Sequence, residues 1–210
     1  MKNNKSIAVI VAHPDDEVLG CGGTIARLAE EGCQIHVLAL ADGESSRGGD
    51  ADTEQESIRV RENLLQQSCD ILGCSSATTL GYPDNRLDSV ALLDIAKDIE
   101  NFIRKYQPEK IFTHAESDLN IDHRIVREAV LVASRPQPGM CVKELMYFEV
   151  PSATEWLFSG GGDHFNPNVF INISRTFDRK LKALEVYQKE LRPYPHARSI
   201  KAIESLCRWR

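Results

Sequence analysis

Ser6-Ile7-Ala8-Val9-Ile10-Val11-Ala12 runs straight into His13-Pro14-Asp15-Asp16-Glu17, and this junction decides how the chain is read. A short continuous run of branched and small apolar residues, without polar alternation, is the pattern of a strand covered on both faces. It predicts a central parallel strand. After a polar, glycine-rich turn, Ile25, Leu28 and Ala29 share one helical face, Gly32 supplies a stop, and residues 34–40 form a second strand. Residues 53–72 place Ile58, Leu65, Cys69 and Leu72 on one face before Gly73, and Leu92, Ile95, Ile99 and Ile103 mark a helix ahead of a strand at 110–113. Another helix starts near His123, with Val126, Ala129, Val130 and Ala133 inward.

Strands and helices in this alternation need right-handed crossovers, which predicts a Rossmann-like α/β fold, a three-layer sandwich with a mostly parallel central sheet. The last third is less regular. Residues 145–150 and 169–173 read as strands, and Gly160-Gly161-Gly162 as a loop able to move over a site. Ser174 reads as the cap of a helix carrying Phe177, Leu181, Leu184 and Leu191 that ends before Pro193. Without an internal repeat, residues 1–210 read as a single domain.

Composition narrows the partners. A hydrophobic fraction of 42% and a charged fraction of 27% are ordinary for a soluble globular chain. No apolar run approaches the ~20 residues of a membrane span, and residues 1–6 lack the apolar core of a secretory signal. A net charge of -6 without a basic run argues against nucleic acid or an anionic membrane as a general partner. Cys21, Cys33, Cys69, Cys74, Cys141 and Cys207 are scattered without C-x-x-C spacing, as expected of reduced thiols packed as small apolar groups. The expectation is a cytoplasmic protein acting on a small neutral or polar molecule. A homo-oligomer stays open.

The chemistry gathers where the strand ends. Open α/β sheets place ligands at the carboxyl edge of their strands, and there an imidazole and carboxylates offer neutral nitrogen and anionic oxygen to a borderline metal such as zinc. The turn at Pro14 brings His13 and Asp16 to one ion and aims Asp15 elsewhere. The rival role for these acids is to cap the following helix. A second element, Asp118-Leu119-Asn120-Ile121-Asp122-His123-Arg124, follows the strand at 110–113 and opens a helix, so His123 can supply a third ligand from the same edge. Asp122 either caps that helix or accepts the other imidazole proton of a site histidine. Arg47, and Asp84 with Arg86 in Tyr82-Pro83-Asp84-Asn85-Arg86, are candidates for sugar hydroxyls or an attached phosphate.

Taken together, AHPDDEVLGCGGTIARLAEEG, ADGESSRGG, GYPDNRL, LNIDHRIV and PYPHARS resemble the PIG-L/LmbE family of de-N-acetylases across nearly the whole chain. The resemblance implies zinc held by His13, Asp16 and His123, with Asp15 as the general base. It implies a zinc-dependent hydrolase that removes an N-acetyl group from an N-acetylglucosamine-type sugar. It also puts Asp84 on the sugar and offers His196, ahead of His114, as the donor to the oxyanion or the leaving amine. One position departs from the family: Asn120 stands where many members carry histidine. That departure keeps open a non-catalytic, metal-retaining sugar-binding protein, against which intact Asp15 argues. Gly20-Cys21-Gly22-Gly23-Thr24 superficially matches a dinucleotide loop, but Ile25 falls where the third glycine would be, and HPDD occupies the turn.

Overall fold

A computed structural model describes residues 5–48, 51–157 and 164–210. The first strand, β1 (Ser6–Val11), is flanked by β2 (Gln34–Ala41) and β4 (Lys110–His114), with β3 (Ser76–Tyr82) and β5 (Glu144–Phe148) at the edges. The order is β3-β2-β1-β4-β5 and every pairing is parallel. Because the order reverses beside β1, the carboxyl ends of β1 and β4 open a crevice where this class of sheet binds ligands.

Both faces of β1 are buried, which is why its sequence shows no alternation. Ile7, Val9 and Val11 face one core, shared with α1 (Asp16–Glu30), α2 (Ala51–Leu72), α5 (Phe177–Val186) and α6 (Ile200–Trp209). Ala8, Ile10 and Ala12 face the other, shared with α3 (Leu92–Tyr106) and α4 (Ile121–Ala133). The three layers follow. Full burial of a side chain such as Ile10 stabilises by about 1.5–3 kcal/mol, and truncating it to alanine would cost about 2–5 kcal/mol.

Four local expectations are corrected. The glycine-rich stretch is not a turn but the first half of α1, kinked at Cys21. Its glycines allow close packing: a Cβ on Gly20 would run into the Phe148 ring, and one on Gly23 into Ile173. Residues 169–173 form no strand; Val169 and Phe170 are exposed, and the Asn172 carbonyl accepts from Arg27 Nη1 (2.9 Å) instead of a ladder partner. The next helix is preceded by Thr176, not capped by Ser174, and Thr176 Oγ1 donates to the Gly23 carbonyl (2.8 Å). That helix stops at Val186, before Leu191. Residues 193–199 fold as tight turns closed by His196 N to Pro193 O (3.1 Å) and Ser199 N to His196 O (2.9 Å). The sequence also hid β3 and α6. Gly160-Gly161-Gly162 lies outside the described residues.

Candidate metal centre

His13 leaves β1 and Asp16 begins α1, so two potential ligands sit one turn apart at the strand end. The third comes from the first turn of α4. Asn120 caps this helix, its Oδ1 accepting from Asp122 N (2.8 Å) and His123 N (3.4 Å), and its Nδ2 donating to Asn85 Oδ1 (3.1 Å). Asn120 therefore fixes the start of the helix that carries His123. It also settles the cap, which is Asn120 and not Asp122.

His13, Asp16 and His123 are buried, and their potential ligand atoms all lie within 4.8 Å of one another. Asp16 Oδ2 is 3.3 Å from both His13 Nδ1 and His123 Nε2. Asp16 Oδ1 is buried without a hydrogen-bond partner among the described residues, a costly arrangement unless a cation takes it. Each histidine rests its other nitrogen on carboxylates. His13 Nε2 faces Asp84 Oδ1 at 3.0 Å and Asp122 Oδ2 at 3.1 Å, and His123 Nδ1 faces Asp118 Oδ2 at 3.1 Å. Two imidazoles and one carboxylate, each imidazole backed by acids, fit a zinc-type ion.

The supporting acids are themselves held. Asp122 accepts from the backbone N–H groups of Asn85 (2.8 Å) and Leu87 (3.0 Å), while Asp118 accepts from Thr154 Oγ1 (2.8 Å). Burial alone would lower both histidine pKa values, but the carboxylates outweigh it. Asp122, Asp16 and Asp84 hold His13 well above its ordinary value, and Asp16 with Asp118 holds His123 up at about 9. Burial, reinforced by neighbouring His123, drives His114 well below its ordinary range. Its Nε2 accepts the Ala12 N–H (2.9 Å), so that lone pair is taken, and its ring stacks on His123 at 4.0 Å and meets Phe148 edge-on at 5.3 Å.

Asp15 points elsewhere. Its backbone takes φ 128°, a conformation costing about 1–3 kcal/mol, and Glu17 Oε2 secures it by accepting the Asp15 N–H (2.9 Å). Glu17 is buried, which pushes it up to about 7, and it also accepts from Ser68 (2.8 Å) and Tyr187 (2.9 Å). The Asp15 carboxylate meets Arg61 Nη2 at 3.3 Å and Arg198 Nη1 at 3.2 Å. Burial raises its pKa and the two arginines pull it back.

The structure thus brings together His13, Asp15, Asp16, Asp84, Asp122 and His123. Asp84 also accepts from Ser46 Oγ, which joins the 42–48 loop to the 84–86 turn. Arg86 is exposed, and the Arg47 side chain lies outside the described residues. His196 accepts the Arg198 N–H at Nδ1 (3.0 Å) and lies edge-on to Trp156 at 5.5 Å. Sequence reasoning missed Arg61, Arg198, Glu17 and the backing role of Asp118. Arg61 had left a signal: it stands three residues after Ile58 and four before Leu65, a charge on an apolar helical face.

Residues 8–134 match the family model described as PIG-L, GlcNAc-PI de-N-acetylase. The chain belongs to the PIG-L family. Among curated relatives, the uncharacterized deacetylase YaiS of Escherichia coli K12 is 33% identical over 190 residues, covering 88% of this chain and 91% of that one. A probable N-acetyl-alpha-D-glucosaminyl L-malate deacetylase 2 of Bacillus cereus is 28% identical, covering 89% and 84%. Among solved structures, the 4-carboxy-2-hydroxymuconate hydratase of Pseudomonas putida KT2440 superposes with a TM-score of 0.70 at 25% identity, covering 89% and 80%. The PIG-L fold therefore carries deacetylases and at least one hydratase. No helix among the described residues is long and apolar enough to cross a membrane.

Proposed function

We propose that the protein is a zinc-dependent hydrolase that removes the acetyl group from an N-acetylglucosamine-type sugar or conjugate. The observation that carries this reading is the buried His13, Asp16 and His123 cluster, with its orphaned Asp16 oxygen, beside a separate carboxylate on Asp15. When bound there, zinc would polarise the amide carbonyl and lower the pKa of a water toward ~7. Asp15 is the group that takes a proton from the water attacking the carbonyl carbon, and it returns a proton to the amine as the carbon–nitrogen bond breaks. Acetate and a free amino sugar result. His196 accepts the Arg198 N–H at Nδ1, so its neutral ring carries the proton on Nε2, from which it donates to the developing oxyanion. Asp122 and Asp118 hold His13 and His123 in the tautomers that leave Nδ1 and Nε2, respectively, for the ion.

Arg47, Asp84 and Arg86 are assigned to sugar hydroxyls or an attached phosphate. The six free cysteines support a cytoplasmic location. The likeness to a hydratase favours a second reading, addition of water across a conjugated carbon–carbon double bond. One experiment separates the readings, including the non-catalytic one. The purified protein, with and without added zinc, is given a panel of N-acetylglucosamine conjugates and an unsaturated tricarboxylic enol or keto acid. New primary amine that requires zinc is the expected result. Loss of that acid's ultraviolet absorbance without new amine makes it a hydratase, and sugar binding without either reaction makes it a binding protein.

A further inference from the structure

Asp15 is held from two directions. Arg61, from α2, and Arg198, from the segment joining α5 to α6, both reach its Oδ2, at 3.3 and 3.2 Å. Glu190 closes the group, 2.8 Å from Arg61 Nη1 and 3.7 Å from Arg198 Nη1, and Glu44 lies 3.9 Å from Arg61 Nη1, so three acids face two guanidiniums. The two arginines differ in access: the Arg61 side chain is 4% exposed and that of Arg198 20%. Arg198 is also anchored behind. Its Nε donates to Ser152 Oγ (2.6 Å) and the Pro151 carbonyl (3.4 Å), and because a guanidinium is planar, fixing that edge fixes the edge offered to Asp15.

A carboxylate with one oxygen held by two cations keeps its other oxygen turned away from them. We propose that Arg198 is a positioning residue for the hydrolysis, setting the orientation of the Asp15 carboxylate and bracing it against the 151–152 turn. The inference rests on reading Asp15 as the base. It gives a role to the turns of residues 193–199, which bring Arg198 back to Asp15 at the carboxyl edge of the sheet. A misplaced base costs rate without loss of substrate binding, and errors of about 1 Å have cost about 10²-fold elsewhere.

The test compares zinc-loaded Arg198→Ala, Asp15→Asn and the double variant. Arg198→Ala is expected to lower kcat by about 10²-fold with KM and zinc stoichiometry unchanged, and to cost nothing further in the Asp15→Asn background. Millimolar guanidinium is expected to restore part of the lost kcat in Arg198→Ala and none in Asp15→Asn. An unchanged kcat in Arg198→Ala overturns the proposal, as does an equal loss in both backgrounds, since either means that Arg198 does not act through Asp15. If Arg198→Ala does not fold, Arg198→Lys takes its place. It keeps the charge but cannot span Ser152 and Asp15, so a smaller loss with the same dependence on Asp15 is expected. A fully active Asp15→Asn enzyme overturns the catalytic reading itself and is distinguishable from these results.

Discussion

At the carboxyl end of β1, His13 keeps Asp16, Asp84 and Asp122 within 3.3 Å of its ring nitrogens. Near the amino end of β2, equally well buried, His36 keeps a Ser76 hydroxyl at 2.8 Å and the Tyr106 ring at 4.0 Å. Burial pushes both rings toward the neutral form, yet their net shifts are opposite. His13 is held well above its ordinary pKa by its carboxylates, whereas burial, with a contribution from Lys105, lowers that of His36. Burial alone therefore does not mark a metal ligand. A carboxylate on each nitrogen does, because one orients the ring and the other shares the ion.

The strongest way to break this contrast is to remove one histidine from each end. His123→Ala is expected to lose stoichiometric zinc and His36→Ala to keep it, as read by metal analysis after dialysis. Zinc held by His123→Ala as tightly as by the parent would dissolve the assignment. Within the site, chemistry and binding are expected to separate. Asp15→Asn should retain zinc while kcat falls ~10²-fold or more, and His196→Ala should lose ~10²–10³-fold in kcat. Unchanged turnover in His196→Ala, with a large loss in His114→Ala, would transfer the donor role to His114. The acid behind a ligand is expected to matter less than the ligand. Asp118→Asn should weaken zinc by ~10–100-fold in a competition titration, and an unaltered affinity would reduce Asp118 to a helix-start support.

The smallest effect belongs to the far end of the sheet. The folded protein holds the His36 pKa below its ordinary 6.5, so folding favours the neutral ring. That contribution is complete above 6.5 and is lost as pH falls through the lowered folded value. Urea melts between pH 7.5 and 5 should show a shallower acid slope in His36→Gln than in the parent. Identical slopes would mean that the ring titrates alike in both states.

What the sequence disclosed follows from how each segment meets its surroundings. β1, β2 and β4 are covered on both faces, so their apolar runs are continuous and legible. β3 is an edge strand, Ser76-Ala77-Thr78-Thr79-Leu80-Gly81-Tyr82, half exposed and too polar to stand out. Residues 169–173 carry a strand's pattern without a strand's neighbour, since the pattern records which side chains turn inward and not which backbone lies alongside. The clustering of His13, Asp16 and His123 was readable because both motifs sit at strand ends of one parallel sheet. Arg61 and Arg198 were not, because their partners are remote in sequence and only the fold brings them to Asp15.

One hydrogen atom has a long reach. Gly20 lets the Phe148 ring lie against α1, Phe148 pairs with His114 across β4 and β5, and His114 stacks on His123. The placement of the His123 ring is thus only as rigid as this column of rings, which has no slack at its base. A methyl group at position 20, on a residue that touches no ligand, would be felt at the far end as a displaced imidazole.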